Sequence, residues 1–390
     1  MHQYIILKIL NAAFSTSSIM FVTYWGNSKE LAIFGLIALI ESYLGILNGG
    51  ASTRMHELAR ENRITRLNGL IMIFLFATLF NLFIVFAVYL SEVSSFLIPS
   101  VINLEKFFII LLIVFFKLLN NTFITFIYGL GLATKVNKIL INLSVLKLVV
   151  ILIIFIVGNI NYLYDLILVS LVADFLYLLY VSREKFSFNL KIKFKKFSLE
   201  KLELQLALFS SIGIIYGNLD RIFGLFVFDQ SVYVKWASIA VIIAPTALLI
   251  SGYNQYAYNK ISLDKVITTK NLQLFVLITS ILGIVINIFL LKILSLCNIL
   301  DFELENWMYI QIGGSTFFLT SGLLINFMIA RKKYLSVIKI TLPILILYIC
   351  LIFILYYIGK ASAINTAIVI FGCSITQLMS LMAYSRSQSY

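Results

Sequence analysis

Apolar stretches of about twenty residues, nearly free of charge, recur from one end of the chain to the other, and short polar gaps separate them. A helix rises about 1.5 Å per residue, so each stretch matches the roughly 30 Å hydrocarbon layer of a bilayer. The pattern predicts spans at 5–25, 31–53, 67–90, 107–131, 139–158 and 162–181, then at 204–228, 236–258, 271–296, 307–330, 336–358 and 361–384. The first stretch is too long for the core of a signal peptide and no small-residue cleavage pattern follows it, so it reads as a retained span.

The widest polar gap, 182–203, carries seven Lys and Arg residues and divides the spans into two groups of six. The expected domains are therefore 1–190 and 191–390. The expected fold is an all-α polytopic membrane protein with about 12 transmembrane helices in two six-helix halves around a central cavity.

Composition agrees with this reading. Hydrophobic residues make up 61% of the 390 residues and charged ones 12%, against about half and a quarter in a soluble domain. The formal charge of +13 would point to nucleic acid in a soluble protein, but here the basic residues lie in the gaps, where they act on topology. Of the 30 Lys and Arg residues, 22 fall on one side of the predicted membrane and five on the other, which places both termini in the cytoplasm. Cys297, Cys350 and Cys373 lie in or beside spans without metal-ligand spacing, and neither a metal nor a cofactor is implied. No G-x-x-x-x-G-K-[ST] loop is present, so the chain does not itself hydrolyse ATP.

Candidate chemistry sits inside the spans. A charge at membrane depth is costly, and it normally faces a partner or a water-filled cavity. Three acids, Glu41, Asp174 and Asp220, and three bases, Lys117, Lys147 and Arg221, are so placed. Counting along the helices puts Glu41 and Lys117 near the midplane, Lys147 and Asp174 in the cytoplasmic half, and Asp220 with Arg221 in the outer half.

Polar residues extend these positions into stripes: Glu41, Gly45, Asn48 and Ser52; Lys117, Asn121, Thr125 and Tyr128; Ser170, Asp174 and Tyr177. In the seventh span Ser210, Gly213, Gly217, Asp220 and Gly224 recur at steps of three and four. Asp220 and Arg221 project about 100° apart and are expected to serve different neighbours. Two readings of the six charges stand side by side: ion pairs that fix helix packing, and the wall of a polar cavity.

Two segments resemble a known family. FVTYWGNSKELAIFGLIALIESYLGILNGGASTRMHELAR at 21–60 is similar to the opening of the polysaccharide and O-antigen flippases of the multidrug/oligosaccharidyl-lipid/polysaccharide exporter superfamily. YGNLDRIFGLFVFDQSVYVKWASIAVIIAP at 216–245 is similar to their seventh and eighth spans. The resemblance implies passage of an undecaprenyl-diphosphate-linked oligosaccharide, an O-antigen or capsule repeat unit, across the bacterial inner membrane by alternating access. Membrane lipids and other polysaccharide-assembly proteins are the further partners it implies.

Lys117, Lys147 and Arg221 are then candidates for contact with the diphosphate, because an anion in a low-dielectric space needs cationic partners. Glu41, Asp174 and Asp220 are candidates for counter-ion or proton-coupling roles, and Asn121, Asn218 and Tyr128 for bonds to sugar hydroxyls. No enzyme is expected. The alternatives are a membrane oligosaccharide polymerase, whose large catalytic external loop is missing here, and an ion-coupled secondary exporter of a small solute.

Overall fold

The computed structural model describes residues 2–25, 104–183, 201–229, 269–297, 300, 302–331 and 333–387, with scattered positions between 37 and 86 and between 231 and 250. All regular structure among them is helical. In chain order the long helices are α1 His2–Trp25, α2 Leu104–Gly129, α3 Ala133–Val157, α4 Ile160–Ser182, α5 Lys201–Val227, α6 Thr269–Leu296, α7 Asn306–Ala330, α8 Tyr334–Tyr357 and α9 Ala363–Ser387. Seven of these, α2 to α4 and α6 to α9, are long and apolar enough to cross a bilayer. Predicted spans 31–53 and 236–258 fall largely outside the described residues, and 67–90 is described in part, with an apolar helix, Ala77–Phe86, within it.

Helix ends follow local chemistry. Between α2 and α3 the chain turns through Gly131 at φ +76°, a left-handed conformation that favours glycine. Gly158, at φ +74°, caps α3 by donating its N–H to the Ile154 carbonyl, and Asn159 then opens α4 by accepting from the Asn161 N–H. α3 begins at Ala133 where apolarity predicted 139, because backbone hydrogen bonding continues past the hydrocarbon edge and leaves Thr134, Lys135 and Lys138 exposed.

Two compact units are formed, Leu36–Ile214 and Met1–Gly35 with Ile215–Tyr390, and the division falls within α5. In the first, here the amino unit, α4 packs on both α2 and α3. Phe116 and Phe123 meet Phe175 edge to face, with ring centroids 5.8 and 5.5 Å apart.

In the second, the carboxyl unit, α7 packs most extensively on α9 and also meets α6 and α8. Glycine makes the α7–α9 approach possible: a Cβ at Gly314 would lie 3.0 Å from the Phe371 backbone. The outward faces of α3 and α6 are apolar, with Ile156 82% and Phe289 63% exposed. In water each such side chain would forgo about 1.5–3 kcal/mol of burial, whereas lipid tails solvate it without loss.

Candidate functional site

Charged groups of the amino unit are joined in pairs. Lys117 stands half-way along α2, and its Nζ donates to Glu41 Oε2 at 2.5 Å; the two side chains keep 44% and 23% of their exposure. A charge that keeps so much surface is costly against hydrocarbon and is normally turned toward a partner, here Glu41, or a water-filled space. Lys147 on α3 donates to Asp174 Oδ2 on α4, also at 2.5 Å, and this pair is much more enclosed.

Further polar groups lie close by. Asn120 donates from Nδ2 to the Leu171 carbonyl at 2.8 Å, which ties α2 to α4, while its own Oδ1 is buried without a partner. Asp174 Oδ1 and the Tyr177 hydroxyl, three residues apart on one face of α4, are buried and unpartnered as well.

The carboxyl unit is organised differently. Asp220 and Arg221, adjacent on α5, turn apart as the helical period requires. Asp220 Oδ2 accepts from the Trp236 indole at 2.9 Å, and Arg221 donates to Asn218 Oδ1 at 3.4 Å. The Arg221 Nε is buried without a partner, and among the described residues no carboxylate lies within ion-pair distance of the guanidinium.

Trp236 stacks on Trp307 at 5.2 Å, and its carbonyl accepts from Gln311. Glu305, the residue before α7, accepts from Lys235 Nζ at 2.7 Å and from the Trp307 indole at 2.8 Å. These two bonds hold the exposed Glu305 carboxyl below its usual range. Elsewhere in this unit neutral groups are linked to one another: Thr246, Asn287 and Thr316 form one chain, and Ser280 with Thr320 a second.

Every charge singled out in the sequence is thus placed. The structure pairs Glu41 with Lys117 and Asp174 with Lys147, and it gives Asp220 and Arg221 different hydrogen-bond partners. The polar stripe on α2 does not act as one surface, because Asn121 is exposed while Tyr128 is buried and gives its hydroxyl to Asn137. Asn218 is the partner of Arg221. Of the polar stripe on the second span, Gly45, Asn48 and Ser52 lie outside the described residues.

Sequence reasoning missed Asn120, the neighbour of the asparagine it chose, because a one-residue step rotates a side chain by about 100° and the stripe was drawn from Lys117. It also missed Trp236 as the partner of Asp220. The available signal was the aromatic in 216–245, sixteen residues beyond the acid.

No protein-family model matches the chain, and no curated protein matches it. Solved structures do. An inward-facing multidrug resistance MATE family transporter of the MOP superfamily is 13% identical and covers 98% of this chain and 94% of its own, with a TM-score of 0.56. A MOP superfamily transporter from Pyrococcus furiosus, described as having a binding pocket of reversed polarity, is 12% identical over 99% and 94%, with a TM-score of 0.53. A MATE protein in complex with Br-NRF is 14% identical over 99% and 94%, with a TM-score of 0.52. At such identities the likeness is one of fold: the chain has the MATE-like fold of multi-pass membrane transporters.

Proposed function

We propose that the chain carries an undecaprenyl-diphosphate-linked oligosaccharide from the inner to the outer leaflet of a bacterial cytoplasmic membrane by alternating access, with about twelve spans and both termini in the cytoplasm. The fold supports an exporter, since the solved chains that share it are transporters. The anionic character of the cargo rests on one observation: Arg221 on α5 keeps a buried Nε with no hydrogen-bond partner, and although Asp220 beside it attracts it, no carboxylate among the described residues forms an ion pair with it.

A guanidinium nitrogen buried without an acceptor is unfavourable, and a phosphate oxygen is the ligand the planar fork of arginine suits best. Lys117 adds a second cation that an anionic cargo can compete for, because its pair with Glu41 remains open.

The test is transport of a fluorescent short-chain polyprenyl-diphosphate disaccharide in liposomes holding the purified protein. Wild type is expected to move it between leaflets and Arg221→Ala to slow it by about tenfold or more, the worth of one charge-assisted bond. Equal rates in the two proteins would reject the proposal.

A second reading, an ion-coupled exporter of a small solute, draws on the amino unit, where both intramembrane lysines already have a carboxylate. The Pyrococcus furiosus neighbour, with its pocket of reversed polarity, warns that this one fold accommodates opposite charge patterns. Transport of a small cation that tolerates Arg221→Ala would favour this alternative.

A further inference from the structure

Three polar atoms in the core of the carboxyl unit are buried without a partner: the Tyr216 hydroxyl on α5, and Ser374 Oγ and Gln377 Oε1 on α9. Their residues keep only 5%, 0% and 2% of their surface. Ser374 and Gln377 are three residues apart and share one face of α9. The Tyr216 hydroxyl faces Ser374 but stays outside hydrogen-bond geometry. Gln377 donates from Nε2 to Ser321 Oγ at 3.3 Å, so the amide is oriented and its carbonyl oxygen is the end left over.

Tyr216 is held in place rather than loose. Its ring stacks on Phe318 at 4.7 Å and meets Tyr348 at 5.2 Å. Gly217 lets α5 come this close, since a Cβ there would lie 3.0 Å from the Phe318 ring. The phenol therefore cannot swing toward another acceptor without undoing that stack.

We propose that the carboxyl unit carries a buried water-binding site built from Tyr216, Ser374 and Gln377. A buried water typically makes about three hydrogen bonds to groups that would otherwise be unsatisfied; here Tyr216 faces Ser374, and Gln377 follows on the same face of α9. Their chemistry is complementary to water. The phenol donates to the water oxygen, the Gln377 carbonyl accepts one water hydrogen, and the Ser374 hydroxyl accepts the other. The three groups themselves are neutral and supply no anionic ligand for a metal cation, and Asp220, one turn along α5, already accepts from the Trp236 indole. Water then serves as the polar link between α5 and α9.

Hydroxyl-radical labelling under an X-ray beam tests this on the full chain in nanodiscs. A water split in place oxidises the side chains around it even where bulk solvent has no access. Tyr216 is expected to be labelled about tenfold faster than Tyr128, which is also buried but has its hydroxyl bonded to Asn137. Ser374→Val, which fills the space, should bring Tyr216 down to the rate of Tyr128; Gln377→Met serves the same purpose if the valine variant does not fold. Slow labelling of Tyr216 in the wild type would overturn the proposal. So would a Tm that rises in sodium or potassium chloride over choline chloride and no longer does so in Ser374→Val, since that would make the ligand a cation.

Discussion

The amino and carboxyl units solve the same problem, polar groups at membrane depth, in opposite ways. In the amino unit each intramembrane lysine lies 2.5 Å from a carboxylate. In the carboxyl unit the interior is stitched by hydroxyls and amides, and its one adjacent acid and base do not meet: Asp220 belongs to an indole and Arg221 to an asparagine. Paired charges cancel each other's field and fix two helices together. A guanidinium whose hydrogen bond goes to a neutral amide, while the neighbouring carboxylate is bonded to an indole, has donors left for an anionic cargo. The arginine of the carboxyl unit is therefore the stronger candidate for cargo contact, and the enclosed lysine of the amino unit the stronger candidate for architecture.

The largest effect expected from this contrast is at Lys147. Replacing it by Met leaves the Asp174 carboxylate enclosed without its cation, a change worth about 3–5 kcal/mol. Lys147→Met should lower the thermal midpoint in detergent sharply, and adding Asp174→Leu should recover most of the loss. A double variant as unstable as the single would show that the pair is more than structural.

Arg221→Ala comes next. It should slow transport of a diphosphate-linked cargo by about ten- to a hundredfold, equivalent to about 1.5–3 kcal/mol, and leave the midpoint nearly unchanged. A fall in stability with unaltered transport would reverse the roles assigned to the two units.

Much of this was legible in the sequence, and the reason is physical. Lipid imposes a length and an apolarity on every span, so α4 runs Ile160–Ser182 where 162–181 was expected, and α7 runs Asn306–Ala330 where 307–330 was. The cost of isolated charge likewise drew attention to six residues, of which Lys117, Lys147 and Asp174 lie in helices long and apolar enough to cross a bilayer.

Partnership was not legible. Asp174 finds Lys147 across 27 positions and Glu41 finds Lys117 across 76, distances over which periodicity carries no information. Rotation about a helix was only half legible: the 100° step correctly parted Asp220 from Arg221 but selected Asn121 where the interior holds Asn120.

The Asp220–Trp236 bond allows the contrast to be sharpened within the carboxyl unit. Trp236→Phe keeps an aromatic ring against Trp307 and removes the indole N–H, which leaves the buried carboxylate short of a donor at a cost of about 1–3 kcal/mol. The midpoint should fall, and Asp220→Asn should make the tryptophan dispensable, because an amide needs no charge-stabilising donor. If Trp236→Phe is silent in both backgrounds, the acid is held by something other than the indole.

The smallest effect expected is at Glu305, outside the span, where Lys235 and the Trp307 indole hold the carboxyl below its usual value. A depressed folded-state value means that the stabilisation is fully present above the unfolded value, near 4.5, and is lost as pH falls through the folded one. The wild type should therefore exceed Glu305→Gln in thermal midpoint at pH 7, and the gap should close in acid. Because the carboxylate is 45% exposed, solvent screens the pair, and the gap at pH 7 should stay within about 1 kcal/mol. It should also shrink in high salt, as Lys147→Met would not, since only an exposed pair is open to the counterions that weaken it. An equal salt response of the two variants would mean that the Lys147–Asp174 pair is as wet as the surface one, and the assignment of that pair to architecture would fail at that point.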